Sequence, residues 1–264
     1  MYFFMIRRFF HQSWLNFKGS NAAFSFEEFM LLEFSYPLIT LVFYVLLASF
    51  SFNTDNLTHW VVGNSFLLCV NVSLFTLGQG FGSERFFGRL RLIIASPENK
   101  LMTVLQKALF PTFVAMVTVF AGFIIVGLVF NVPFYEINLW LFLLIVMISM
   151  FAVSGFGLLM AAFSLLSDNM HLLLNTMNYV LLIFCGANFP ISQMPVWAGV
   201  LSRMLPLTRG IEAANLLFAE HTFSEISGLL LGELAVGVTL FLLAFLTLKY
   251  AERSAIKKAT LEIF

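Results

Sequence analysis

A basic segment between two long apolar runs is the part of this sequence best suited to contact something outside a membrane. It runs from Gly82 to Lys100, and its cations are Arg85, Arg89, Arg91 and Lys100. From Ser83 onward, apolar residues recur at helical spacing with the arginines mainly on the other side: Phe86, Phe87, Leu90, Ile93 and Ile94. Pro97 ends the pattern, because the residue before a proline is biased away from the α region. The spacing predicts a short amphipathic helix over 83–97 that lies along the membrane surface and presents one face to a partner.

Plain anchoring on the cytoplasmic side is the alternative role for the three arginines of this segment. Glu84 has no cation three or four residues further on, because those positions are Phe87 and Gly88. An ion pair within the helix is therefore not supported. We expect the carboxylate either to favour the positive end of the helix dipole or to meet a group on a partner protein.

Polar side chains follow single faces of two other apolar runs. Asn64, Asn71 and Gly78 recur every seven residues, and an adjoining stripe carries Leu68, Phe75 and Gln79. A later run places five residues on one helical face: His171, Asn175, Asn178, Leu182 and Cys185. Two roles stay open for these faces: they line a route through the membrane, or they form interhelical hydrogen bonds worth about 0.6 to 2 kcal/mol each. For His171 a solvated or packed side chain is favoured over a proton relay.

Two carboxylates, Glu33 and Glu233, fall inside apolar runs. A charge in the middle of a span costs roughly 2.5 to 3.5 kcal/mol on insertion scales, so it usually has a partner or a wet cavity. Arg203 or Arg209 could reach Glu233 from the preceding segment. Structural pairing is therefore favoured over ion coupling for Glu233.

The composition is that of an integral membrane protein. Hydrophobic residues make up 60% and charged residues 11% of the chain, and the mean hydropathy is +0.94, whereas soluble domains are about 25% charged. The formal net charge is zero, which argues against nucleic acid as a partner. Cys69 and Cys185 both lie in apolar runs, so we expect small buried side chains rather than a disulfide.

Apolar runs of about 20 residues, the length that crosses the hydrocarbon core, predict six transmembrane helices. They fall near 31–50, 60–81, 101–130, 137–166, 170–187 and 226–250, and the fourth is interrupted by Ser-Gly-Phe-Gly at 154–157. Residues 1–28 mix aromatic and basic side chains and predict a helix lying in the membrane interface. Residues 188–224 are too apolar for a soluble loop, and their prolines predict a helical hairpin that dips partway into the membrane. The whole chain, 1–264, is expected to form one all-α transmembrane domain.

The distribution of Lys and Arg predicts the orientation of the chain. With the N-terminus inside, only Arg203 and Arg209 of the 14 basic residues fall on the outer side. Cytoplasmic loops carry such an excess of cations. Both termini are therefore expected to be cytoplasmic, with the 83–97 helix inside and the 188–224 hairpin outside.

The order and spacing of several short motifs resemble a known transporter family. They are Pro37 at the first span, Ser83-Glu84-Arg85, Ala95-Ser96-Pro97, and the series Phe189-Pro190, Met194-Pro195, Pro206-Leu207-Thr208 and Glu212-Ala213 before the last span. Over nearly its whole length the chain resembles a type-2 ABC transporter permease, the membrane subunit of a bacterial ABC exporter. Where that family usually has a Gly-Thr-Leu-Glu-like run, this chain has Gly88-Arg89-Leu90-Arg91, so the glycine is kept and an arginine takes the acidic position.

The resemblance implies how such a chain would work. The 83–97 helix would be a coupling helix that docks on an ATPase subunit through Glu84, Arg85, Phe87, Gly88, Arg89, Leu90, Ser96 and Pro97. In that family spans two and five line the central route between two permease chains, which implies a substrate pathway over Asn71, Phe75, Gln79, Asn175, Asn178 and Leu182. Partners would be two ABC ATPase subunits and a second permease chain, identical or related, in the bacterial cytoplasmic (inner) membrane.

The sequence can also be compared with what other classes of membrane protein would require. No GxxxxGK[ST] motif occurs, so ATP and magnesium are expected in a separate ATPase, and this chain is expected to hold no cofactor, metal or catalytic site. An ion-coupled secondary transporter would need a charged midplane site or repeated halves, and an intramembrane enzyme would need motifs such as HExxH that are absent. A route lined by Phe, Asn and Leu favours a hydrophobic or amphiphilic cargo, such as an antibiotic, a peptide or a lipid-linked molecule.

Overall fold

The fold was analysed on a computed structural model. It describes residues 2–21, 25–52, 56–78, 100–130, 132, 137–164, 169–219, 221 and 223–258, and the regular structure in these ranges is all helical. The helices are α1 (Tyr2–Ser20), α2 (Phe26–Phe52), α3 (Thr58–Leu77), α4 (Lys100–Val129), α5 (Leu139–Ser164), α6 (Met170–Phe184), α7 (Val196–Met204), α8 (Thr208–Phe218) and α9 (Phe223–Lys258). A 3₁₀ turn, Ile191–Gln193, precedes α7.

Five of these helices are long and apolar enough to cross a membrane: α2, α3, α4, α5 and α9. The all-helical membrane architecture predicted from composition is thereby confirmed. The helix at the predicted fifth span, α6, is apolar but has only 15 residues. At 1.5 Å per residue it measures roughly 22 Å, against about 30 Å of hydrocarbon. The count of six spans therefore stays a prediction.

Helices α3 and α5 form the centre of the bundle. In their most apolar windows 75% and 67% of the residues are buried, against 17% in α2, and α9, α3 and α4 all pack on α5. The predicted interruption at 154–157 is wrong, since α5 is continuous through these residues. The two glycines there serve close packing instead: a Cβ at Gly157 would lie 2.5 Å from the carbonyl oxygen of Ser73, and one at Gly155 would lie 3.1 Å from that of Gly237.

Helix α1 packs on α4 through aromatic and amide contacts. The rings of Trp14 and Phe110 are 5.2 Å apart, and Gln106 Nε2 donates to Gln12 Oε1 at 2.7 Å. After α1, Ser25 caps the first membrane helix by a reciprocal pair of hydrogen bonds with Glu28. The helix that contains the first span therefore begins at Phe26, earlier than the apolar run alone indicates. The location of α1 in the membrane interface stays a prediction.

Candidate functional site

Helix α3 runs antiparallel to α6 and the segment that follows it, and contacts them at two places. At one end a Cβ on Gly63 would lie 2.6 Å from the Cα of Ala187, so the two backbones abut. At the other end a Cβ on Gly78 would lie 2.6 Å from a methyl carbon of Leu174. The predicted second and fifth spans are thus neighbours within one chain.

A cavity of about 150 Å³ lies between these two helices and α2. Its lining comes from all three helices: Tyr36, Thr40, Leu41, Tyr44, Asn64, Leu67, Leu68, Asn178, Tyr179 and Leu182. All ten side chains are uncharged, and six of them carry hydroxyl or amide groups. An engineered apolar cavity of similar volume holds a benzene molecule, so this one has room for a small ring or head group. Its chemistry suits a neutral group that forms hydrogen bonds.

The cavity opens toward one side of the bundle. Tyr36 and Tyr179, at its rim, are 61% and 60% exposed. Beside Tyr179, α6 also exposes His171, Asn175 and Thr176. Polar side chains on a membrane helix usually face protein or a water-filled space rather than lipid.

Only two of the six residues of the predicted substrate pathway line the cavity. Asn178 and Leu182 line the cavity. Asn175 is exposed on α6 and donates through Nδ2 to the carbonyl of its own helix at His171 (2.8 Å), while Phe75 is partly buried against the core. Asn71 begins a π-helical segment of α3, Asn71–Leu77, whose i→i+5 hydrogen bonds break the seven-residue spacing to Gly78. Gln79 lies outside the described residues.

Sequence reasoning missed the contribution of the first span to the cavity. Tyr36, Thr40 and Tyr44 lie four residues apart, so they share one helical face. A stripe of hydroxyl-bearing side chains in an otherwise apolar span was the signal that could have revealed them. Asn64 was assigned to a polar stripe of span two, and it lies at the cavity as well.

A network of amide groups joins α3 to the chain that follows α6. Asn64 Nδ2 donates to Asn188 Oδ1 (3.1 Å) and to the carbonyl of Trp60 (2.9 Å). Asn188 Nδ2 donates to the carbonyl of Leu182 (3.3 Å). Asn64 Oδ1 is buried without a hydrogen-bond partner in the described structure. The network therefore lies at the end of the cavity where α3 meets the segment after α6.

Glu233 is completely buried in α9 and binds the start of α8. Its Oε1 accepts the backbone N–H of Leu207 (2.6 Å), and its Oε2 accepts that of Arg209 (3.2 Å). Leu207 has a left-handed backbone, with φ of 72°. The predicted link to Arg209 is present, but through the backbone: the guanidinium Nη1 instead donates to the carbonyl of Arg203 (2.7 Å). The carboxylate thus satisfies donors at a helix N-terminus, where negative charge is favoured.

Glu33 lies in a π-helical turn of α2, Leu31–Ser35. Its backbone carbonyl accepts a hydrogen bond from the hydroxyl of Thr118 in α4 (3.4 Å), and a second π-helical segment, Asn71–Leu77, lies in α3. π-Helical turns inside α-helices often occur at functional sites. Directly after this segment the chain enters the predicted coupling helix, 83–97. All of its predicted contact residues lie outside the described residues: Glu84, Arg85, Phe87, Gly88, Arg89, Leu90, Ser96 and Pro97.

A bundle of apolar helices, five of them of span length, is the architecture of a multi-pass membrane protein. Comparison with protein families narrows this further. A family model described as ABC-2 type transporter matches residues 6–218, most of the chain up to the end of α8. The chain therefore belongs to the ABC-2 type transporter family and is a permease of that family. A search of the curated proteins found no match.

Proposed function

We propose that this chain is the membrane subunit of an ATP-driven exporter that moves a hydrophobic or amphiphilic substrate out of a bacterial cell. The observation that carries the proposal is the uncharged, hydrogen-bonding cavity between α2, α3 and α6 in a member of a transporter family. A cargo that crosses the membrane needs a place to rest that binds it without holding it permanently. Neutral hydroxyl and amide groups meet that requirement.

The size and lining of the cavity support a particular kind of cargo. A volume of about 150 Å³ accepts one ring or head group rather than a whole large molecule. The rim at Tyr36 and Tyr179 is exposed, so an apolar tail can extend along the side of the bundle. An amphiphile with a neutral, hydrogen-bonding head therefore fits better than a charged solute.

The contacts between α3 and α6 support a sixth span. Helix α3 is long enough to cross the membrane, and the stretch from Leu174 to Ala187 runs beside it from Gly78 to Gly63. The last part of that stretch is not helical, but Cys185, Gly186 and Ala187 are buried. Irregular backbone at membrane depth is tolerated when it is buried in protein. Six spans place both termini on one side, as the distribution of cations predicts.

The exposed rim of the cavity supports a second permease chain. A partner chain facing α6 would cover Tyr179 and its polar neighbours and would enclose the cargo between two such cavities. An identical chain and a related permease fit this role equally well. The proposed assembly is two permease chains with two ATPase subunits.

In this proposal, the free energy of ATP hydrolysis is transmitted to the permease through the segment 83–97. ATP and magnesium are bound by the ATPase, whose closure pushes on the coupling helix. Two features support a connection between that segment and the cavity: α3 precedes the segment in the chain, and α2 packs on α3. A push on the coupling helix would therefore move α2 and α3 together, as a rigid-body switch.

The proposal is tested by isolating the full chain from its native membrane and by measuring ATP-dependent transport in proteoliposomes. We expect an ABC ATPase to co-purify with the tagged chain. Copies with two different tags co-purify if the permease is a homodimer, and a related permease co-purifies if it is not.

Gly88→Asp and Leu90→Asp are expected to abolish ATP-dependent transport while insertion into the membrane stays normal, because a buried charge at the docking surface opposes contact with the ATPase. Gly19→Asp is the matched control, since Gly19 of α1 has open space around its Cα. Transport by the purified chain with no nucleotide-hydrolysing partner would refute the proposal. Labelling of an Arg89→Cys variant from outside the cell would refute it too.

A further inference from the structure

Asn64 is the most deeply buried polar residue in the wall of the cavity, with 2% of its surface exposed. Both hydrogens of its amide are taken, because Nδ2 donates to the carbonyl of Trp60 (2.9 Å) and to Oδ1 of Asn188 (3.1 Å). Its Oδ1 is buried and has no partner within the described part of the chain. The unsatisfied polar atom of this side chain is therefore a hydrogen-bond acceptor.

The neighbouring groups fix the orientation of the Asn64 amide. The carbonyl of Trp60 can only accept a hydrogen bond, so Nδ2 of Asn64 has to face it. Asn188 donates through its own Nδ2 to the carbonyl of Leu182 (3.3 Å), which leaves its Oδ1 to accept from Asn64. Rotation that exchanged the nitrogen and oxygen of the Asn64 amide would bring its oxygen against these two acceptor oxygens. Asn64 therefore keeps its N–H groups for Trp60 and Asn188 and has only Oδ1 left for a ligand.

The other polar groups of the cavity can adapt to a ligand. The hydroxyls of Tyr36, Tyr44 and Tyr179 are able to donate or to accept, and the amide of Asn178 carries atoms of both kinds. The hydroxyl of Thr40 already donates to the carbonyl of Tyr36 (3.0 Å), so its remaining capacity is to accept. The fixed, buried acceptor is thus the part of the wall that discriminates between head groups.

A head group that fills the cavity has to supply a hydrogen to Oδ1 of Asn64. A head group that carries only acceptor atoms excludes water from the cavity and leaves this oxygen buried and unpaired, which lowers its affinity. A site that forms a hydrogen bond with an N–H or O–H group rejects analogues without that group more strongly than an apolar pocket rejects a change in size. The presence of a donor on the head group therefore matters more than its exact shape.

We propose that Asn64 determines the specificity of the cavity for uncharged head groups that carry an N–H or O–H donor. Primary and secondary amides and alcohols belong to this class, whereas ketones, esters and tertiary amides of the same shape are rejected. The inference rests on the proposed function and deepens it, because it takes the cavity as the place where the cargo binds.

Benzamide and acetophenone provide the test, because they share a ring and a carbonyl and differ only in an NH₂ group that replaces a methyl group. A cavity of this volume accepts one such ring. Their dissociation constants are measured by ligand-detected NMR titration of the full chain in lipid nanodiscs, with empty nanodiscs as the blank. We expect the unmodified chain to bind benzamide about tenfold more tightly than acetophenone. Asn64→Leu, which removes the acceptor at similar volume, should abolish this preference.

Two further variants are the controls. Ser65→Ala is matched to Asn64→Leu, since Ser65 is the next residue of α3 and its hydroxyl bonds within its own helix, to the carbonyl of Val61 (2.6 Å). It should keep both dissociation constants. Asn178→Leu removes the adaptable amide of the opposite wall, so it should weaken the binding of both probes and keep the preference for benzamide.

Equal binding of the two probes by the unmodified chain overturns the proposal, and so does the absence of binding by both. A preference that survives Asn64→Leu, or one that Asn178→Leu removes, also overturns it. If Asn64→Leu does not fold, the unmodified chain and Asn178→Leu decide: a preference in both supports the proposal, and its absence in either overturns it. No ATP or ATPase enters the measurement. A failed transport assay therefore leaves a measured preference standing, and equal binding of the probes leaves ATP-driven export untouched.

Discussion

At the scale of single residues, the buried carboxylate of Glu233 shows how a charge is tolerated inside an apolar bundle. Its two oxygens take up the N–H groups of Leu207 and Arg209 at the start of α8, and these donors would otherwise be unpaired. The side chain thereby fixes the bend between α7 and α8 to the last span. The sequence indicated a partner near Arg203 or Arg209, but the partner is the backbone.

Glu233→Ala is expected to lower the free energy of unfolding by about 3 kcal/mol, because it leaves buried N–H donors without an acceptor. Glu233→Gln keeps one oxygen, so it should lose less. Thermal unfolding of the purified protein in detergent measures both. Glu225→Ala is the control in the same helix: Glu225 is exposed and paired with His221, so its loss should cost less than about 1 kcal/mol. Equal losses for the two alanine variants would contradict this account.

A substitution at the single residue Tyr44 tests whether the cavity binds the cargo. Its side chain is half-buried at the cavity wall, and Tyr44→Phe removes a hydroxyl while keeping the ring. If the cargo bonds to that hydroxyl, we expect KM for transport to rise by about fivefold, which corresponds to about 1 kcal/mol. Tyr250→Phe, in which the hydroxyl is lost at an exposed position of α9, should leave KM unchanged. If the KM of none of the tested cargo molecules changes in Tyr44→Phe, this hydroxyl is not part of the binding site.

At the scale of elements, α5 and α9 owe their close contact to small residues. Gly237 of α9 faces α5, where a Cβ would lie 2.8 Å from the ring of Phe151 and 3.1 Å from the Cα of Ala152. Small residues allow such close approach between membrane helices, which associate through packing rather than through a hydrophobic driving force. The stacked rings of Phe151 and Phe241, 4.7 Å apart, lie beside this contact.

Gly237→Leu should therefore force α5 and α9 apart and destabilise the protein by about 1–3 kcal/mol. Gly228→Leu in the same helix meets nothing within 4 Å and should be neutral or slightly stabilising, because leucine is the better helix former. Melting temperatures of the two purified variants provide the measurement. A larger loss at position 228 than at 237 would contradict the packing described for α5 and α9.

At the scale of the whole molecule, the orientation of the chain decides which end of the cavity faces the outside. The distribution of Lys and Arg predicts inner termini and an outer hairpin. Val196, in the hairpin, is 88% exposed, and His11 is exposed on α1. With that predicted orientation, these two positions are expected to lie on opposite sides of the membrane.

In a background without the native cysteines, Val196→Cys should react with an impermeant thiol reagent in intact cells. His11→Cys should react only after the membrane is made permeable. Mass spectrometry of the labelled protein gives the readout, and the cysteine-free chain is the blank. Labelling of position 11 in intact cells would show that the predicted topology is inverted.

The sequence by itself determined the features that depend on local composition and spacing. Apolar runs of span length fixed the helical membrane fold, the prolines near 190–206 marked the two helices before the last span, and the order of short motifs gave the family. Asn178 and Leu182 were recognised as neighbours because a helical face depends only on spacing along one chain.

Only the tertiary structure decided which faces meet. It joined Asn178 to Tyr36 and Tyr44, which lie more than a hundred residues away in the sequence, and it placed Asn188 opposite Asn64. It also made α5 continuous through two glycines and inserted π-helical turns in α2 and α3. These outcomes depend on the packing of neighbouring helices, and the hydropathy of a single run carries no information about that packing.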